Sequence, residues 1–178
     1  MPKKKKTMTS CDWKKNKSSL HNGKNPPNPP LLKGGEEGFL GEKKNSKENK
    51  TMLYKHRGNF SWQGVKAEKY KSSCGDWSDI VRQTLIGNHG ETSKFHLRYF
   101  EIASGGHSSF EMHKHEHVVI GIRGKGLCTV RGKTSDIGFL DTLYIEPDAP
   151  HQLRNPFDQP FGFLCLVNAK RDRPKILK

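Results

Sequence analysis

The sequence predicts an all-β sandwich or barrel carried behind a disordered, basic N-terminal tail, on three observations. Short runs with period-two alternation recur from Phe95 onward, separated by glycine, proline and aspartate turns. No helical stripe longer than two or three turns interrupts them. The opening residues instead combine proline pairs, glycine pairs and lysine runs with almost no apolar periodicity, a composition that cannot bury enough surface to offset chain entropy. A chain of 178 residues then fits one ordinary domain plus a tail.

The tail is expected over residues 1–51. Within residues 1–50, thirteen Lys stand against five Asp plus Glu, so eight of the chain's fourteen net positive charges lie there. The string PKKKK resembles a nuclear-localisation or nucleic-acid-binding patch. No Arg-aromatic interleaving and no nucleic-acid module accompanies it, so a solubilising role is expected and a specific nucleic-acid partner is not. No apolar segment follows the lysines as a signal peptide requires, and no later run approaches membrane-spanning length. Cys11, Cys74, Cys128 and Cys165 are scattered without a C-x-x-C pair, which speaks against a disulfide scaffold or a structural zinc site and for the cytoplasm. The string NPPNPPLLKGGEEGF resembles the translation of an intergenic repeat of the kind scattered through some bacterial genomes, which would put the native start at Met52.

Residues 52–94, with turn residues and scattered aromatics, are expected to form a lead-in segment packed on the main body through Trp62, Trp77 and Ile86. FHLRYFEI, Phe95 to Ile102, alternates as a strand, and SGG at 104–106 is expected to close it with a turn. Further strands are expected in HSSFEMHK, HVVIGIRG, GLCTVRGK, DTLYIEP, HQLRN and FGFLCLVNA, completing a barrel over 95–170 with a flexible C-terminal tail at 171–178. Cys128 and Cys165 fall on apolar strands and are read as small core residues.

The stretch FEMHKHEHVVIGIRGKG places His113, His115 and His117 on alternate residues just before an apolar run. A solvated histidine run, a core with satisfied imidazoles and a metal site all compete for this pattern. Strand alternation lets Glu111 and His113 converge, and a reversal around 114–116 lets His117 open the next strand facing inward. His151, after a proline at the start of a later strand, supplies a fourth donor. The remaining histidines, His21, His56, His89, His96 and His107, have no comparable partners and are expected at the surface.

This arrangement resembles a single-domain cupin. The first cupin motif, G-x5-H-x-H-x3,4-E-x6-G, matches in spacing on Gly105, Glu111, His113, His117 and Gly124, with Glu111 where the first His belongs and His117 where the Glu belongs. The second, G-x5-P-x-G-x2-H-x3-N, falls on Leu140, Glu146, Asp148, His151 and Asn155, of which the last two match in type. The resemblance covers roughly 95–168. It implies a cupin-type double-stranded β-helix, a jelly-roll barrel, with a divalent transition metal (Fe, Mn, Ni, Co or Zn) held by Glu111, His113, His117 and His151, His115 being the alternative to Glu111.

Val119, Arg123, Tyr144 and Phe163 are the residues expected around a substrate pocket, Arg123 either holding a substrate carboxylate or lying at the surface beside Gly124. Three functions follow. The resemblance implies a metalloenzyme of dioxygenase, isomerase or lyase type acting on a small polar organic molecule. A metal-dependent binding or sensing module without turnover is the alternative, and nucleic-acid association through the tail is the third. A homodimer through exposed strand edges is expected by analogy with the fold.

Overall fold

The computed structural model describes residues 51–72 and 75–178. The tail expected over 1–51 therefore lies, but for Thr51, outside the described residues, as do Cys11, His21 and Cys74.

Eleven strands follow one another: β1 Glu68–Lys69, β2 Ser78–Ile86, β3 Phe95–His107, β4 Glu111–Met112, β5 His117–Arg123, β6 Gly126–Val130, β7 Lys133–Ile137, β8 Thr142–Ile145, β9 His151–Arg154, β10 Phe161–Asn168 and β11 Lys175–Ile176. All pairs are antiparallel, and no helix appears among the described residues. None is therefore long and apolar enough to cross a membrane. One layer runs β1-β2-β3-β10-β5-β8 and the other β11-β4-β9-β6-β7; His107 opposite Arg154 joins them, giving an all-β, nearly closed jelly-roll barrel.

Alternation explains the core. Along β5, His117, Val119 and Gly121 are buried while Val118, Ile120 and Ile122 are less so, and Val119 sits opposite Cys165, which sits opposite Arg98. Ile102, Val119, Ile145, Phe161 and Phe163 fill the space between the layers. Asn155, 1% exposed, staples the turn after β9: its amide donates to the carbonyls of Ile102 and Gln159, and its Oδ1 accepts from the Phe157 N–H. That matched asparagine therefore has a structural task.

Three expectations need correction. The SGG turn at 104–106 is absent, because β3 continues to His107 with Gly105 at φ 79°. Within the lead-in, residues 78–86 are a full strand hydrogen-bonded to β3, and Phe60 and Trp62 pack on Tyr99 to cover the outer face of the barrel. Trp77 is buried edge-on against Tyr70, whereas Ile86 is only half-buried. Finally, residues 175–176 add β11 to the edge of β4 where a free tail was expected, since that edge would otherwise leave backbone groups unpaired.

Candidate metal centre

The strands bring five donor residues to one place. Glu111 lies directly opposite His151 in the β4–β9 ladder. The chain then reverses through 113–116, pinned where the Asp148 N–H donates to the His113 carbonyl at 2.7 Å and the Lys114 N–H donates to Asp172 Oδ2 at 2.9 Å. His117 opens β5 on the buried face.

The His113 ring stacks on His115 at 3.7 Å between centroids and on His117 at 4.4 Å, while His151 meets it edge-on at 4.9 Å. Donor atoms of His113, His115 and His117 lie within 4.8 Å of one another, and so do those of Glu111, His113 and His151. All five residues are buried.

Hydrogen bonds orient these rings. His113 Nδ1 is 2.7 Å from the His115 carbonyl, His151 Nδ1 is 2.8 Å from the Ala149 carbonyl, and His115 Nδ1 is 2.7 Å from Asp172 Oδ1. Carbonyl and carboxylate oxygens only accept, so each of these Nδ1 atoms carries the proton and Nε2 keeps a lone pair. The Nε2 atoms of His113 and His117 are buried without a hydrogen-bond partner among the described residues. Burial holds His113, His117 and His151 below the ordinary imidazole pKa, and neighbouring imidazoles push His113 and His117 the same way. The Lys114 N–H and the His115 ring hold the Asp172 carboxyl below the usual carboxylate range. Neutral imidazoles with unsatisfied, inward lone pairs and a nearby carboxylate fit a borderline divalent cation.

Glu111 has other partners as well: Ser109 Oγ donates to it at 2.8 Å and Lys71 forms an ion pair with it. Tyr70 shares a hydrogen bond with the Ser109 hydroxyl, and burial followed by the Glu111 charge pushes its phenol well above the usual range.

A cavity of about 570 Å³ opens beside the cluster, within the range of small-molecule sites. Val119 and Phe163 line it, as do His115, His117, His151 and Glu111. Arg123 and Tyr144, expected around the pocket, do not. The register shift between Gly162 and Phe163 takes Arg123 out of the inward series, and its guanidinium pairs with Glu101 at 2.7 Å over the Phe60 ring. Tyr144 is opposite Val118 and 60% exposed. His56, His89, His96 and His107 do not line the cavity.

Sequence reasoning missed Lys71, Arg98, Arg171 and Asp172. Arg98 had a legible signal, since it shares strand parity with Phe100 and Ile102. Cys165, read as a plain core residue, lines the cavity with its sulfur 3.3 Å from Arg98 and 3.7 Å from His117 Nδ1. Burial pushes its thiol pKa up, against the opposing Arg98 charge.

Comparison with known proteins meets the same architecture. Residues 98–167 match the family model of the cupin domain. The 1-methylthio-D-xylulose 5-phosphate methylsulfurylase of Rhodospirillum rubrum is 38% identical over 118 residues, 66% of this chain and 74% of that protein. Among solved structures, a cupin-2 domain from Rhodospirillum rubrum is 35% identical with a TM-score of 0.62, covering 69% of this chain and 82% of that one. A cupin 2 conserved barrel domain protein from Rhodopseudomonas palustris is 36% identical with a TM-score of 0.65, covering 71% and 87%. Sequence similarity and barrel topology agree, and this chain belongs to the cupin family.

Proposed function

We propose that the protein is a metal-dependent enzyme that converts a small polar organic molecule in the cavity beside the histidine cluster. His113, His117 and His151 would hold a divalent ion, Fe, Mn, Ni, Co or Zn, with His115 or Glu111 completing the set. The observation that carries this reading is the pair of buried, unpartnered Nε2 atoms of His113 and His117. An unsatisfied buried polar atom costs about 1–3 kcal/mol, which an ion bound there would offset. Asp172 occupies Nδ1 of His115 and leaves its Nε2 for ligation, whereas Lys71 and Ser109 already engage Glu111. That contrast favours His115 as the fourth ligand.

When bound, such an ion polarises a carbonyl or enediol oxygen at a position left open. The chain's own residues then have separate tasks. Val119, Leu153 and Phe163 supply an apolar wall, and the Lys71 ammonium and Tyr70 hydroxyl offer protons beside the Glu111 carboxylate. The name of the Rhodospirillum rubrum relative supports a sugar-like substrate and turnover over a sensing module. The free thiols Cys128 and Cys165 suit a reducing compartment, which we take to be the cytoplasm.

Elemental mass spectrometry of the full-length protein tests the metal. Near-stoichiometric ion is expected in the wild type and in Glu111→Gln, with loss in His113→Ala, His115→Ala and His151→Ala. A folded protein that takes up no ion after reconstitution overturns the reading. Consumption of 1-methylthio-D-xylulose 5-phosphate by the loaded protein is expected; saturable binding of that compound without product would make it a binding module.

A further inference from the structure

The cavity carries far more positive charge than its carboxylates balance. Lys71, Arg82, Arg98, Arg171 and Arg173 line it against the single carboxylate of Glu111. Two of these cations are already paired, Lys71 with Glu111 and Arg82 with Glu68. Arg98, Arg171 and Arg173 have no ion pair with a carboxylate among the described residues.

Arg98 is the clearest case. It projects from the middle of β3 on the same parity as Phe100, its guanidinium lies over that ring, and its Nε is buried without a hydrogen-bond partner among the described residues. Its one side-chain hydrogen bond among the described residues, to Cys165 Sγ at 3.3 Å, is to a weak acceptor. Arg171 reaches back from the C-terminal segment and donates to the Asn168 and Ala169 carbonyls, so its position is fixed by neutral groups. Burial and the neighbouring Arg98 and Arg82 charges depress the Arg171 pKa, which shows these cations crowding one another. Arg98 is half-buried, so its unpaired guanidinium is costly unless an anion joins it, whereas Arg171 and Arg173 are exposed and bring their charge to the cavity rim.

We infer that Arg98, Arg171 and Arg173 form an anion subsite that takes the phosphoryl group of a small phosphomonoester, leaving the rest of the molecule to extend toward the imidazole cluster. A phosphomonoester suits three uncompensated cations better than a carboxylate, because it brings close to two negative charges and three acceptor oxygens to planar donor forks. The register supports the reach: Arg98 is opposite Cys165, two residues before Val167, which is opposite His117. This inference rests on the reading of the cavity as a substrate site.

The test is isothermal titration calorimetry of full-length protein with glycerol 3-phosphate and with glycerol, in metal-loaded and chelator-stripped forms. The phosphate ester is expected to bind saturably in both forms and glycerol in neither. Arg98→Gln and Arg171→Ala should each weaken that binding at least tenfold while metal content stays at the wild-type level. Arg171 lies outside the strands, so its variant keeps the test sound even where Arg98→Gln lowers the melting temperature. Absent ester binding in metal-loaded protein, or binding within twofold of wild type in Arg171→Ala and in folded Arg98→Gln, overturns the subsite. Arginine-dependent ester binding by a protein that takes up no metal would support the subsite and sink only the metal reading.

Discussion

At the residue scale, the buried imidazoles make two predictions. Asp172 touches the cluster only through His115 Nδ1 and the Lys114 N–H, so it positions the reversal without reaching the cluster centre. Asp172→Ala is expected to weaken metal binding by about 10–100-fold, read by competition with a chelating dye, because outer partners fix ring orientation and basicity. The second prediction concerns pH. Burial lowers the folded-state pKa of His113, His117 and His151 from the ordinary value of 6.5, so below that value the unfolded chain binds more protons than the folded one. Stability of the metal-free protein is therefore full above about pH 6.5 and falls as the pH drops beneath it. His117 alone would contribute up to about 2 kcal/mol of loss by pH 5, from about 1.4 kcal/mol per pH unit. Melting temperature against pH, compared with a flatter curve for His117→Gln, measures it.

At the element scale, the alternating face of β5 was legible and its end was not. Period-two alternation predicts that His117, Val119, Gly121 and Arg123 share a face, yet the register shift against β10 turns Arg123 outward to Glu101. Gly121 is required where this strand meets the chain before β8. A Cβ there would collide with the Gly138 carbonyl, while the Gly121 carbonyl accepts from the Leu140 N–H and its N–H donates to the Asp141 carbonyl. Gly121→Ala is expected to cost about 1–3 kcal/mol in urea unfolding, because the obstacle is backbone and has no rotamer to yield. Motif spacing likewise located His151, but the hydrogen bond that seats its turn, from the Asp148 N–H to the His113 carbonyl, joins segments that no local pattern connects.

At the scale of the whole molecule, two antiparallel layers enclose one core, with the cluster and its cavity built into the barrel interior. Phe161 is fully buried between the layers against Phe163. Phe161→Ala should cost about 3–5 kcal/mol by urea denaturation, the ordinary penalty for emptying such a site. The sequence by itself determined the all-β class and most of the central strands, and it singled out Glu111, His113, His117 and His151, with His115 as the alternative to Glu111, as candidate donors. Those depend on period-two alternation, turn residues and short spacings, all of which act between near neighbours in the chain. Only the tertiary structure decided that Lys71 pairs with Glu111 forty positions away, that Asp172 holds His115 from fifty-seven positions away, and that Arg98, Arg171 and Arg173 line one cavity. Alternation tells which face a side chain takes. Which distant charges meet there depends on how the two layers close and where the C-terminal strand docks, and that is settled by packing and pairing across the whole barrel.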